Sequence, residues 1–223
     1  MPKVRRSKTS RSLQYLFGLM IVGLGVNLLF RSELGAGAWD TVTFNLAELV
    51  NLFSSEPWMT LGMSSFAIQT GLLMLVMLGR RKWRYLFIFV PILTISVFID
   101  FWDLLVFRDF YPSDLVLRLV FYLGGVTLLI FGLVLVILTR FPAAIFDEVM
   151  LLMMSILKNN NVFVIRLGVE FFAIFLALFL GLVGGFGLGA VNIGSVILAI
   201  ILPPVLAVQL RFFRPWFDAY ENV

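Results

Sequence analysis

Ser32-Glu-Leu-Gly-Ala-Gly-Ala-Trp-Asp40 and Thr139-Arg-Phe-Pro-Ala-Ala-Ile-Phe-Asp147 stand 107 residues apart and read as two versions of one element. The same offset superposes Tyr15 on Tyr122, Leu16 on Leu123, Gly18 on Gly125, Gly25 on Gly132, Leu28 on Leu135, Ala36 on Ala143, Asp40 on Asp147 and Val42 on Val149. Pairs of Leu and Val weigh little in so apolar a chain. The Gly, Tyr and Asp pairs at one shared offset weigh more. Trp39 answers Phe146 and Leu34 answers Phe141 in the same register.

Each element follows a long apolar run. The chain of 223 residues is 61% hydrophobic and 13% charged, against about 45–50% and about 25% in an ordinary soluble domain. That is more apolar surface than one water-facing core can bury, so lipid is the expected solvent. A spanning helix needs about 20 mainly apolar residues. Six segments qualify: Leu13–Phe30, Trp58–Leu78, Tyr85–Trp102 extended to Phe107, Leu115–Leu138, Val162–Val183 and Gly187–Leu206. Most lack a water-facing stripe, which argues against a soluble amphipathic bundle. Thr41–Phe53 and Glu148–Leu157 are too short to cross alone and are expected as re-entrant or interfacial helices.

The expected fold is therefore an all-α membrane protein with six spans and two short helices. Three spans per half is an odd number, so the second half enters the membrane from the opposite face, giving two inverted three-helix repeats. The domain boundaries are a basic tail over 1–12, repeat 1 over 13–110, repeat 2 over 111–210 and a second tail over 211–223. Both tails are expected in the cytoplasm of a cell inner (plasma) membrane. Lys3, Arg5, Arg6, Lys8, Arg11, Arg80, Arg81, Lys82, Arg84, Arg140, Lys158, Arg211 and Arg214 fall on one side of a six-span arrangement, as the positive-inside rule requires. The formal charge of +4 thus reports orientation, and no nucleic acid partner is expected. The basic start and Ala36-Gly37-Ala38 have the general shape of a signal peptide. The apolar stretch is long for one, and its local pattern recurs inside the chain.

The breaks point to a centre. Gly35 and Gly37 in one half, and Pro142 in the other, relax or interrupt the helical ladder. A chain bent at membrane depth needs protein or a wet cavity around it, and paired breaks in two halves mark a binding site. Asp40 and Asp147 have two roles open to them: capping the exposed N–H groups of a short helix, or meeting across a pseudo-two-fold axis to hold a cation, relay protons or touch substrate. Glu170 lies within the fifth span with Arg166 one turn away, a spacing that permits an ion pair; an intramembrane carboxylate is equally a functional candidate. The candidate substrate- or ion-binding set is Asp40, Asp147, Trp39, Asn27, Glu170 and Arg166. Asn27, Gln69 and Asn192 also suit interhelical hydrogen bonding. Asp100 and Asp103, three apart, suit interfacial solvation or an outer vestibule.

With no Cys and no His, thiolate zinc sites, iron–sulfur clusters and histidine triads are excluded, and neither cofactor nor metal is expected. The run Gly181-Leu-Val-Gly-Gly-Phe-Gly-Leu-Gly189 lacks a preceding strand and a following Gly-Lys-Ser/Thr, so it is read as a tight turn between the last two spans and not as a nucleotide loop.

Around Gly25-Val-Asn-Leu-Leu-Phe and Leu34-Gly-Ala-Gly-Ala-Trp-Asp40 the chain resembles the bacterial YczE-type membrane proteins, relatives of the YitT-like group. The Gly-x-Gly-x-Trp-Asp element, here Gly35, Gly37, Trp39 and Asp40, carries the resemblance, which implies a multi-pass membrane protein and no particular activity. Three functional classes follow from the residues. The first is a transporter of a small solute or ion, with a central site at the repeat interface. The second is an accessory or scaffold protein that binds a protein partner. A membrane enzyme comes third, because no nucleophile–base spacing supports one, and no enzyme is expected. The lipid bilayer is a partner in every case.

Overall fold

A chain segment in lipid must satisfy each backbone N–H and C=O internally, which a helix does. The computed structural model, which describes residues 8–142, 145–158 and 161–218, is accordingly all helical among the described residues. Its helices are α1 (Lys8–Ser32), α2 (Ala38–Leu52), α3 (Leu61–Arg80), α4 (Phe89–Asp100), α5 (Leu115–Leu138), α6 (Ile145–Leu157), α7 (Val162–Gly184) and α8 (Ile193–Asp218). A 3-10 helix, Trp83–Ile88, leads into α4, and π-helical turns over Phe101–Phe107 follow it. Six stretches are long and apolar enough to cross a membrane, Trp83–Phe107 among them as one continuous span. Large apolar side chains stand outward around the body, including Leu78 at 74% and Trp83 at 80% exposure, with Val116, Phe175 and Leu182. A soluble monomer rarely presents so much contiguous apolar surface; a multi-pass membrane protein requires it.

The ends of the spans differ from expectation for local reasons. Residues 8–12 were expected in the first tail, yet α1 starts at Lys8, since nothing in that polar stretch breaks a helix. The last span starts at Ile193 and not at Gly187, because Gly187 and Gly189 hold left-handed φ values of 78° and 58°. Helix α8 then runs to Asp218, well into the expected second tail. Lys3, Arg5, Arg6, Ala143 and Ala144, together with 219–223, lie outside the described residues.

Helices α1 and α5 form the heart of the body. A Cβ at Gly18 would fall 2.9 Å from Val136 Cγ2, and one at Gly132 would fall 2.8 Å from Val22 N. Further along, a Cβ at Gly25 would lie 2.8 Å from Leu129 Cα, and one at Gly125 would lie 3.0 Å from Gly25 O. Rising residue numbers in α1 thus meet falling ones in α5, and the two helices run antiparallel at backbone contact. Small residues permit this approach, which packing in lipid rewards. Around the seam Leu19, Val22, Val26 and Leu29 pack on Val126, Leu129, Ile130 and Val134.

Positions 107 apart also share fine local geometry. Ser32 Oγ donates to the Leu29 carbonyl at 2.6 Å and accepts the Leu34 N–H at 3.2 Å. Thr139 Oγ1 donates to the Val136 carbonyl at 2.6 Å and accepts the Phe141 N–H at 3.3 Å. The next residues, Glu33 and Arg140, both leave the helix at left-handed φ, 56° and 58°.

The two ends of the body are unlike. At one end Arg31, with a side chain only 4% exposed, pairs with Asp103 and lies over the Tyr111 ring at 4.3 Å, while Arg118 pairs with Glu33 at 2.7 Å. Burial lifts the Tyr111 hydroxyl above the ordinary tyrosine range, with Arg31 pulling against it. Gly35, at φ 126°, lets the chain pass close to α8, where Gly194 N–H donates to the Leu34 carbonyl at 2.9 Å and Ala36 N–H to Ser195 Oγ at 3.1 Å. The opposite end brings together the starts of α1 and of Trp83–Ile88 with the end of α5, around a crevice of about 690 Å³.

Gly25→Val is expected to destabilise the protein by about 1–3 kcal/mol, the cost of overpacking a tight seam. Gly71→Ala, at a position with open space around it, is expected to leave stability unchanged. Denaturant titration of both variants in detergent micelles checks the contrast.

Candidate functional site

Helix α2 begins where the Gly35–Gly37 break releases the chain, and it turns Trp39, Thr41, Val42, Thr43, Asn45 and Ala47 into the body. Its register is held by polar contacts. Asn45 Nδ2 donates to the Ala177 carbonyl at 2.7 Å and to the Leu188 carbonyl at 3.2 Å, while its Oδ1 accepts the Ala190 N–H at 3.0 Å. This one side chain clamps the glycine-rich turn after α7 against α2. Ser64 of α3 donates to the Thr43 carbonyl at 2.6 Å. Helix α6 buries Ile145, Val149 and Leu152, in a cluster shared with Leu73 and Val76 of α3.

This packing aims equivalent residues at one another. The rings of Trp39 and Phe146 stack with centroids 5.5 Å apart and planes 20° from parallel. Beside them lies a cavity of about 110 Å³, lined by Trp39, Asp40, Asp147, Arg166 and Glu170, with Ser65 and Gln69 from α3. Five of the six candidate residues therefore gather around one space. The sixth does not. Asn27 is 0% exposed and donates to the Gly23 and Ile99 carbonyls, each at 3.0 Å, so it ties α1 to α4.

Three further contacts correct the sequence reading. Gly37 is the residue preceding α2, and Asp40 occupies the third helical position. Among the described residues the Asp40 side chain makes no capping hydrogen bond; its charge still sits at the helix end that favours anions. Arg166 does not form an ion pair with Glu170 one turn away. Its Nη1 lies 3.5 Å from Asp147 Oδ1, because α6 brings a carboxylate closer than the same helix face does. Asp100 and Asp103, both partly buried, each have a partner on another segment. Asp100 accepts from Thr60 Oγ1 and from Gly62 N–H, both at 2.7 Å, and so closes the start of α3, while Asp103 holds Arg31.

Ser65 and Gln69 were not singled out as site residues, although Gln69 was noted as hydrogen-bonding glue. Gln69 Nε2 donates to Ser65 Oγ at 2.8 Å within α3, which leaves the amide oxygen available to the cavity. Their i, i+4 spacing on an otherwise apolar span was the signal available. Asn192, also assigned as glue, joins the Glu33 carbonyl at 3.0 Å, far from this site.

Chemically, the cavity combines three carboxyl groups, one guanidinium, an amide and a hydroxyl beneath an aromatic pair. Asp147 is the link to the surface, because it also lines the 690 Å³ crevice together with Tyr15, Arg84, Tyr85 and Glu148. No cluster of His, Cys, Asp or Glu with metal-holding geometry occurs among the described residues.

A model of a family of unknown function, DUF6198, matches residues 9–211. "Uncharacterized protein YyaS" of Bacillus subtilis (strain 168) is 24% identical over 193 residues, covering 86% of this chain and 92% of that protein. No solved structure gives a significant match.

A double-mutant cycle on Trp39→Leu and Phe146→Leu is expected to give a coupling of about 0.5–1.5 kcal/mol, the usual worth of an aromatic pair beyond its buried area. Unfolding free energies of the four proteins in micelles supply the measurement.

Proposed function

The chain belongs to the DUF6198 family, and from that premise we propose that it is a transporter of a small solute or ion, with its site in the cavity between Asp40 and Asp147. The observation that carries this reading is the meeting of positions 107 apart: Trp39 on Phe146, and both aspartates on one cavity. Two inverted three-helix repeats account for it. Under a two-fold operation that exchanges the halves, the contact of Gly18 with Gly132 becomes the contact of Gly125 with Gly25, and both contacts are present. Secondary transporters place their substrates between such repeats, beside broken helices, and work by rocking one repeat on the other.

Further parts of the reading follow from sequence and chemistry. The crevice end carries Arg84 and the start of α1, so the positive-inside rule assigns it, with both termini, to the cytoplasmic face of the cell inner membrane. Kinship with YczE-type proteins is part of the proposal and rests on Gly35, Gly37, Trp39 and Asp40. Catalysis is not part of it.

Purified protein in liposomes is expected to move at least one member of a panel of inorganic ions, amino acids and small organic acids or amines. Asp40→Asn and Asp147→Asn are each expected to lower that flux by ten-fold or more, on the order of 1.4 kcal/mol per factor of ten. Flux that ignores both substitutions overturns the site. Absence of flux across the panel, with one stoichiometric protein partner co-purifying, favours the scaffold alternative.

A further inference from the structure

The charges around the cavity do not balance. Asp40, Asp147 and Glu170 face it with Arg166 alone to offset them. Three ionised carboxylates beside one guanidinium in a medium that solvates charge poorly are strongly disfavoured, so the site must hold additional positive charge. The form of that charge is limited by geometry. The carboxylates do not converge as a metal-holding group among the described residues, and a cavity of about 110 Å³ is well below the roughly 300–1,000 Å³ of sites for drug-sized molecules. Protons, one to a carboxylate, meet both limits.

A second observation is independent of the carboxylates. Trp39 is 6% exposed and lines the cavity, and its indole N–H has no acceptor among the described residues; neither has the Arg166 Nε–H. Buried donors are rarely left unmatched. A water needs about 10–15 Å³ of such space and a few polar neighbours, so the cavity has the room and the partners for several. Waters accepting from Trp39 and Arg166 would also bridge Asp40, Glu170 and Asp147.

We propose that Asp147 passes protons between the open crevice and the Asp40–Glu170 carboxyls through water held under Trp39, so that the ion coupled to transport is the proton. The inference rests on the transporter reading for its purpose, though not for its chemistry. In the step from the crevice toward the cavity, a hydronium ion in the crevice delivers a proton to the Asp147 carboxylate and becomes water, and the Arg166 contact at 3.5 Å weakens. The Asp147 carboxyl then gives a proton to cavity water, which gives one to the carboxylate of Asp40 or Glu170. Asp147 returns to its anionic form beside Arg166, and one proton has moved from the crevice to the buried carboxyls with no other bond made or broken.

The groups that set the pH dependence come from each neighbouring element. Facing Asp40 are Arg166 and Glu170 of α7 and Asp147 of α6, while α3 contributes the neutral Ser65 and Gln69, and α8 the apolar Leu202 and Leu206. At the crevice side stand Glu148, whose Oε2 is buried without a partner among the described residues, together with Arg84, Tyr15 and Tyr85.

Infrared difference spectroscopy on the full chain in lipid tests the proposal without any substrate. Titration from acid to alkaline pH is expected to show protonated carboxyl stretching bands persisting at neutral pH, with one band lost in Asp40→Asn and one in Glu170→Gln. On transfer to D₂O the remaining buried band is expected to shift about 100-fold more slowly in Asp147→Asn, the scale on which a positioned proton-transfer group acts. Asp147→Glu, which keeps a carboxyl, is expected to exchange at the parental rate and guards against a folding defect. No carboxyl band at neutral pH, bands indifferent to both Asp40→Asn and Glu170→Gln, or equal exchange rates in Asp147→Asn and the parent protein would each overturn the relay. A protein that carries solute yet lacks these bands loses the proton relay alone; one that shows them yet carries nothing loses the transporter reading alone.

Discussion

Backbone contact between α1 and α5 is the constraint on which the remaining structure depends. Four glycines, two on each helix, bring main chains so close that a single added Cβ would strike Leu129 or Val22. In lipid there is little hydrophobic gain from bringing helices together, so close packing of this kind supplies much of the association. The antiparallel seam fixes where each helix ends, and hence where the two breaks fall. At one break the chain is stitched to α8 through Leu34, Ala36, Gly194 and Ser195. At the other, Tyr15 of α1 donates to the Pro142 carbonyl at 2.6 Å. From those anchors α2 and α6 are directed toward each other, and Trp39 comes to lie on Phe146.

The six apolar stretches were legible because lipid imposes a simple requirement on length and composition; Leu115–Leu138 was readable to the residue. Ends governed by turn geometry were less so. The start of α8 depends on how many of the glycines after Gly184 adopt positive φ, which a run of glycines leaves open. The meeting of Trp39 and Asp40 with Phe146 and Asp147 followed from one offset of 107, since a repeated element tends to meet its equivalent at the interface, while Glu170 and Arg166 were legible separately, as ionisable residues within a span. Side-chain pairing was not legible. Arg166 has Glu170 at helical spacing but finds Asp147, and Asp103 finds Arg31 across 72 residues of sequence. Such choices are made by packing between helices, which spacing along one helix does not encode. Asn27 had two readings open, ligand binding and interhelical hydrogen bonding, and the proximity of the Ile99 carbonyl matches the second.

Polar groups in the interior fall into two kinds. Asn27, Asn45, Asp100 and Asp103 meet carbonyls, N–H groups or a guanidinium from other segments, and they serve the architecture. Those around the cavity are under-matched: a carboxyl surplus, an indole N–H and an Nε–H without acceptors among the described residues. Leaving polar groups unmatched in a low-dielectric interior is costly, so the two kinds differ in what they ask of their surroundings. The first kind is matched across segments, apart from the buried Asn27 Oδ1, which has no partner among the described residues. The second kind leaves room in the cavity for the water and protons on which the proposed relay depends.

The contrast between the two ends gives that mobile component a direction. Arg31, Asp103, Tyr111, Glu33 and Arg118 gather paired charges at one end, and the π-helical turns over Phe101–Phe107 lie where Asp103 must reach Arg31. The other end opens on Asp147. If the protein is the carrier proposed above, equivalent cores would permit both tilts of the two halves and the unlike ends would decide which one is occupied. On the transporter reading proposed above, the glycine seam would serve as the pivot, with the Arg31–Asp103 pair at the end opposite the crevice.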